Sequence, residues 1–460
     1  MGTDPAKHAG MPPKKVPLRS RFYNEIKIFF DRTAKSKFAR DVAIVASGTA
    51  VAQAITMVFA PIVTRLYGPE AFGLYGVFMA VVAVLTPIAA LTYPIAVVLP
   101  EEDSDAKGLA HLSLLTASGV ALLLVAVIWF SGEWFLGLFG AKTIAPFGLL
   151  LPLALFFAAG TQVGQHWLIR KKRFAITARI AAAQALVINT AKVGVGWFHP
   201  VGAVLIVLAT FGGAVHSLML WVGSMRANPG PASKDTPGKS PYSLGKLATK
   251  YYDFPLYRAP QVFMNAVSQS IPVLMLAGFF SPAAAGFYTI GRTVLGMPSQ
   301  LIAKSVGDVF YPRISEAAHK GENLVHLILQ ATGGLALTGV APFMLVVLFG
   351  PWLFGFVFGA EWAMAGSYAR WLAFFFFFNY INRPSVAAVP VLGIQKGLLI
   401  YELFSTGSKA VAFLVGFYVF SSDIVAVALF ALIGSIAYVA MILWIIGVAK
   451  VQEGYAKAGQ

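Results

Sequence analysis

The sequence predicts an all-α polytopic membrane protein with 12 transmembrane helices in two six-helix lobes related by an internal parallel repeat. Three observations lead there. Apolar runs of about 20 residues or more, the length that crosses a bilayer as a helix, recur from residue 42 to residue 448. Hydrophobic residues make up 58% of the chain and charged residues only 12%, against roughly 25% charged in ordinary globular domains. A short motif also occurs twice: residues 68–75 read GPEAFGLY and residues 281–288 read SPAAAGFY, with Pro, Ala, Gly and Tyr at the same spacing. Each copy fills a short polar gap between two apolar runs. A second pair follows in the same order, WFLGLFGA at 134–141 and WLFGFVFGA at 352–360. Ordered self-similarity of this kind marks a duplicated unit.

The elements follow from that frame. Residues 1–41 form a basic cytoplasmic tail, without the apolar core of a signal peptide. Within it Phe22, Ile26, Phe29 and Phe30 keep helical spacing, as an interfacial amphipathic helix would, and a disordered basic tail fits residues 1–20 equally well. The N-terminal lobe, 42–224, holds spans at about 42–64, 72–99, 109–130, 144–168, 177–198 and 201–224. A Pro-, Gly- and Ser-rich cytoplasmic linker occupies 225–253. The C-terminal lobe, 254–448, holds spans at about 254–280, 284–307, 324–349, 362–393, 397–419 and 424–448. A short tail, 449–460, ends the chain.

Orientation is read from Lys and Arg in the loops. With both termini inside, the inner loops and tails hold 27 of the 35 Lys and Arg, and the outer gaps hold only Arg65 and Lys142. The net charge of +16 therefore marks an inner membrane face and not a nucleic-acid surface. With no Cys in the chain, disulfides, thiol nucleophiles and Cys-ligated metals are excluded. The seven His show no ligand spacing, and the acidic run Glu101, Glu102, Asp103 and Asp105 reads as a solvated inner loop. The external gaps are too short for a catalytic domain, so the chain is not expected to be an enzyme.

Six basic residues remain, all inside spans: Lys192, Arg258, Arg292, Arg370, Arg383 and Lys409. A charge at mid-bilayer costs roughly 2.5–3.5 kcal/mol even on the lenient insertion scale. Their charges find no acid deep in the spans: Asp41, Asp253 and Glu402 fall near span ends, and Asp308, Glu361 and Asp423 in loops or at edges. The expectation is a hydrated cavity between the lobes, lined with positive charge and selective for an anion. Arg258, one turn inside the membrane, is equally placed to snorkel, and Arg370 to snorkel outward or to brace Glu361. Polar residues cluster nearby. Asn265, Ser268 and Gln269 share one helix face, as do Asn379, Asn382 and Arg383. Such stripes suit sugar hydroxyls, and equally suit hydrogen bonds between helices. Prolines punctuate the spans, among them Pro61, Pro272, Pro384 and Pro390, where kinks are expected.

Three segments, SGTAVAQAITMVFAPIVTRLYGPEAFGLYGVF, FPLYRAPQVFMNAVSQSIPVLMLAGFFSPAAAGFYTIGR and FGAEWAMAGSYARWLA, resemble the polysaccharide transporter (Wzx-type flippase) family. That family belongs to the multidrug/oligosaccharidyl-lipid/polysaccharide exporter superfamily. The resemblance covers nearly all of 42–448. It implies two six-helix lobes, a cationic cavity and export of an oligosaccharide linked to undecaprenyl diphosphate across the bacterial inner membrane by alternating access. Implied partners are the lipid-linked oligosaccharide, membrane lipids and other polysaccharide assembly proteins, with a monomeric chain and no nucleic acid. No cofactor is implied, and the coupling ion, Na+ or H+, is left open. The rival readings are a multidrug exporter of the same superfamily, which would need buried carboxylates for cationic drugs, a membrane glycan polymerase or glycosyltransferase, and an unspecialised facilitator.

Overall fold

In a computed structural model, the structure describes residues 37–226 and 243–458. The basic tail and most of the central linker lie outside the described residues, and with them the amphipathic helix expected near Phe22.

Six long helices fill the first half: α1 (Lys37–Leu66), α2 (Pro69–Ala89), α3 (Asp103–Leu138), α4 (Leu150–Arg170), α5 (Phe174–Gly196) and α6 (Gly202–Arg226). The second half begins with a short helical segment, Leu244–Lys250, and a π-turn, Phe254–Arg258. It continues with α7 (Ala259–Phe279), α8 (Pro282–His319), α9 (Leu324–Phe358), α10 (Ala363–Ile381), α11 (Arg383–Leu392), α12 (Gln395–Tyr418) and α13 (Asp423–Ala458). Among the described residues, nine helices are long and apolar enough to cross a membrane on those criteria alone. The fold is that of a polytopic all-α membrane protein. α4, α8 and the α10–α11 pair fall outside that set. Each carries polar or charged residues in its middle, such as Gln162, Gln165 and His166 on α4.

The run expected as one span at 362–393 is broken at Asn382, where α10 ends and α11 begins. Pro384 is the physical reason: it has no N–H to give the Tyr380 carbonyl, and its ring crowds that carbonyl. At the end of the linker, Leu247 of the short segment Leu244–Lys250 is fully buried against α3.

The two copies of the repeated motif face each other. Each begins a helix with a proline in its first turn, α2 at Pro69 and α8 at Pro282, where the missing N–H costs nothing. α2 and α8 form the main contact between the halves. A β-carbon on Gly73 would strike the Pro282 carbonyl, and one on Gly286 would strike the Pro69 carbonyl. Backbone therefore meets backbone reciprocally, and only glycine allows so close an approach. Around this crossing the same end is sealed by aromatic rings: Trp362 meets Phe72 edge-on at 5.2 Å, and Phe287 meets Trp362 and Tyr368. Trp362 Nε1 donates to the Thr64 carbonyl at 2.9 Å, Thr64 Oγ1 to the Phe358 carbonyl at 3.2 Å and Arg65 Nη2 to the Phe356 carbonyl at 2.8 Å. The end of α1 is thereby fastened to the α9–α10 connection. The bundle thus has a sealed end at the repeat turns. Its opposite, basic end carries Arg170, Lys171, Lys172 and Arg173, where Arg170 and Lys171 both hold Asp103.

Candidate functional site

A cavity of about 790 Å³ runs from the basic end to the middle of the second half. Four helices and the α10–α11 break shape it. α7 supplies Asn265, Ser268 and Gln269; α8 supplies Tyr288, Arg292 and Gln300; the α10–α11 break supplies Asn379, Asn382 and Arg383; α12 supplies Glu402, Thr406 and Lys409; α13 supplies Phe430 and Tyr438. The cavity stops below the aromatic seal, so its mouth is at the basic end, where Tyr257 and Leu399 are exposed.

Three of the six basic residues meet there. Arg292 projects from α8 toward α7, where Nη1 donates to the Gln269 carbonyl at 2.7 Å and Nη2 to Gln269 Oε1 at 2.9 Å. Gln269 Nε2 in turn donates to Asn265 Oδ1 at 2.8 Å. The two amides act as one acceptor chain that fixes a guanidinium in the wall. Arg383 sits in the first turn after the break and donates to Asn379 Oδ1 at 2.6 Å, while Asn379 Nδ2 donates to Tyr438 Oη at 2.6 Å. Arg383 Nε and Asn382 Oδ1 are buried without a hydrogen-bond partner, a costly condition that a bound ligand or water would relieve. Lys409 Nζ lies 5.9 Å from the ring centres of both Phe375 and Phe430. That is a cation–π arrangement, which holds the ammonium without neutralising it.

The other three are elsewhere, which corrects the expectation for them. Lys192 points at the first half's own α2, with Nζ 4.9 Å from the centre of the Tyr75 ring, and its carbonyl accepts from Tyr67 Oη at 2.9 Å. Arg258 is exposed at the basic end and donates to Gln261 Oε1 at 2.8 Å. Of its two expected placements, the structure takes the peripheral one. Arg370 is exposed along the α9–α10 seam and donates to the Leu348 carbonyl at 2.9 Å, so it neither lines the cavity nor braces Glu361. The cavity itself also departs from expectation. All its lining residues, Leu256 to Met441, belong to the second half, whereas a space between the halves was expected. At the sealed end the tight α2–α8 crossing joins the two halves.

One functional candidate was missed. Glu402 was placed near a span end, yet it is on the cavity wall two helical turns from Lys409. The signal was in the sequence: Glu402, Ser405, Thr406 and Lys409 fall at i, i+3, i+4 and i+7 of one helix face. With Arg292, Arg383 and Lys409 against Glu402, the wall carries a net charge of +2. The polar groups on the amide stripes are divided between structural and ligand-facing roles. Ser268 Oγ meets Thr406 Oγ1 at 2.8 Å across α7 and α12, and Asn382 Nδ2 bonds Met441 Sδ at 3.3 Å.

Chemically, a pocket with three cations, one carboxylate, several amides and aromatic faces suits a polar ligand that joins an anionic group to hydroxyl-rich rings. Among the described residues no group of His, Cys, Asp or Glu is arranged to hold a metal ion.

Comparison with known proteins is consistent with this picture. A family profile described as polysaccharide biosynthesis protein matches residues 62–367. The succinoglycan biosynthesis transport protein ExoT of Rhizobium meliloti (strain 1021) is 23% identical over 359 residues, covering 75% of this chain and 67% of that protein. Among solved structures, an inward-facing multidrug resistance MATE family transporter of the MOP superfamily superposes with a TM-score of 0.69 at 15% identity, covering 90% of this chain and 96% of its own. The lipid II flippase MurJ in an inward closed conformation gives 0.68 at 11% identity, covering 91% and 93%. At these identities the superpositions establish the fold.

Proposed function

The chain belongs to the polysaccharide biosynthesis protein family, and we propose that within it this protein is a flippase for a lipid-linked oligosaccharide, a transporter and not an enzyme. The cargo is an oligosaccharide on undecaprenyl diphosphate, carried from the inner to the outer leaflet of the bacterial inner membrane for surface polysaccharide synthesis. The observation that carries the reading is the cavity's composition: Arg292, Arg383 and Lys409 exceed Glu402 in charge, and amides and aromatic rings surround them. The diphosphate is bound by the cations, and the sugars by Asn265, Gln269, Asn379 and Asn382 with Phe376 and Tyr288 as apolar faces. The same excess of positive charge would repel a cationic drug, which counts against a multidrug exporter.

Transport proceeds by alternating access. Twelve membrane crossings, counting α10 and α11 as one, with both termini inside, put the cavity mouth on the inner face. The reciprocal α2–α8 crossing supports two halves related by an axis along the membrane normal. Release to the outer leaflet then requires the seal at Trp362, Thr64 and Phe287 to part. The chain acts as a monomer and hands its product to other polysaccharide assembly proteins. The coupling ion, Na+ or H+, acts through the cavity, where Glu402 supplies the carboxylate.

The test uses a strain lacking this protein, complemented with Arg292→Ala/Arg383→Ala. Lipid-linked oligosaccharide should accumulate on the inner face, with surface glycan reduced at least tenfold. Wild-type glycan export by the double variant would overturn the cationic-cavity reading.

A further inference from the structure

The two halves differ at one corresponding seam. In the first half α1 packs closely along α5, with Gly48 against Ala178 and Asn189 Nδ2 reaching Thr56 Oγ1 at 3.4 Å. In the second half the equivalent pair, α7 and α12, makes far fewer contacts, and the Ser268–Thr406 hydrogen bond spans the gap. The cavity's cations lie just inside it: Lys409 is one turn along α12 from Thr406, and Arg292 is tied to Gln269, the neighbour of Ser268.

On the back of α12 is an apolar groove of about 750 Å³, lined by α12 residues, among them Ile400, Leu403, Phe404, Gly407 and Val411, and by Ile433 of α13. Phe404 is 78% exposed and Ile400 70%. Leu403 lines both the groove and the polar cavity. The positions of α12 that face the cavity (402, 406, 409) and those that face the groove (400, 404, 407, 411) are two stripes of one helix, and Leu403 is where they meet.

We infer that the α7–α12 seam is the lateral portal through which the carrier's hydrocarbon tail leaves the cavity, and that the α12 groove, entered past Leu403, is the tail's binding site. The inference rests on the flippase reading and adds to it the place of the tail. A diphosphate held at Arg292, Arg383 and Lys409 carries a hydrocarbon chain covalently. Keeping that chain in a wet polar cavity is unfavourable for every methylene. Leu403 is common to the cavity and the groove, and Ser268 and Thr406 line the cavity beside it. The closed α1–α5 seam offers no counterpart, so the portal is one-sided.

Gly407 provides the test. A β-carbon there would have no heavy atom within 4 Å, so Gly407→Leu fills the groove without disturbing its walls. Binding of undecaprenyl diphosphate and of inorganic diphosphate is compared on the full chain in nanodiscs. Wild type should bind the tailed ligand at least tenfold more tightly, and Gly407→Leu should remove most of that gain while leaving the affinity for inorganic diphosphate unchanged. A second measurement exploits the absence of native Cys. A Ser268→Cys/Thr406→Cys pair, when oxidised, should slow association of undecaprenyl diphosphate at least tenfold more than it slows that of inorganic diphosphate, with recovery on reduction. No gain from the tail in wild type, a gain untouched by Gly407→Leu, or association untouched by the closed pair would each overturn the inference and leave the groove to bulk lipid. A wild type that binds the tailed ligand but not inorganic diphosphate would instead sink the cationic-cavity reading and spare the groove.

Discussion

Glu402 and Lys409 show how single side chains set the sign of the cavity. They share one face of α12, and both line the wall. One unit of charge acting at roughly 8 Å through an effective dielectric of about 20 is worth on the order of 2 kcal/mol before solvent screening. Removing either should therefore change anion affinity several-fold, in opposite directions. Lys409→Gln is expected to weaken inorganic diphosphate binding three- to tenfold, and Glu402→Gln to strengthen it by a similar factor, both measured by titration of the purified chain. Equal weakening by both would mean that the pair serves packing and not potential. Arg292 differs in kind from Lys409. Its guanidinium is fixed by two hydrogen bonds to Gln269, and charge-assisted bonds of this kind contribute about 1.5–3 kcal/mol each. Gln269→Ala should thus lower anion affinity without removing a charge, since it takes away one of the two acceptors.

At the scale of elements, the governing contact is α2 on α8. Reciprocal approach of Gly73 to the Pro282 carbonyl and of Gly286 to the Pro69 carbonyl leaves no room for a side chain on either helix. Because the obstructing atoms are backbone, no rotamer change can make room. Gly286→Leu is expected to destabilise the protein by about 1–3 kcal/mol or more, read as a lower melting temperature in detergent, and Gly73→Leu should do the same. If both variants melt like wild type, the crossing is not the joint between the halves. The α10–α11 break is the second decisive element. Pro384 interrupts the helix beside Asn379, Asn382 and Arg383, which line one stretch of wall.

At the scale of the whole molecule, one end is shut and the other open. The shut end is closed by helix crossing, aromatic contacts and the bonds from Thr64, Arg65 and Trp362. A cavity whose aqueous mouth is on the basic side should be reachable by a water-soluble reagent from that face. Because the chain has no Cys, Gln300→Cys gives a unique label site near the mouth. A membrane-impermeant maleimide is expected to modify it in inside-out vesicles and to leave it unmodified in right-side-out ones. The reverse pattern would invert the proposed orientation.

Composition and hydropathy by themselves determined the membrane class, because apolar runs of about 20 residues cross a bilayer as helices that satisfy their own backbone polar groups. The repeat turns and the polar stripes at 265–269 and 379–383 were also legible, since helical spacing puts such residues on one face whatever surrounds them. Only the tertiary structure decided which charges meet. Lys192, Arg370 and Arg292 are alike in sequence, each a lone cation in an apolar run. Whether such a cation ends over Tyr75, along a helix seam or in a cavity depends on how helices distant in sequence cross. The same holds for the cavity's location. Two glycines permit backbone contact between the halves at the sealed end, and the cavity is lined wholly by the second half, beside the sparsely packed α7–α12 pair. Motifs that share Pro, Ala, Gly and Tyr can begin two like helices, but packing between helices settles where a cavity opens.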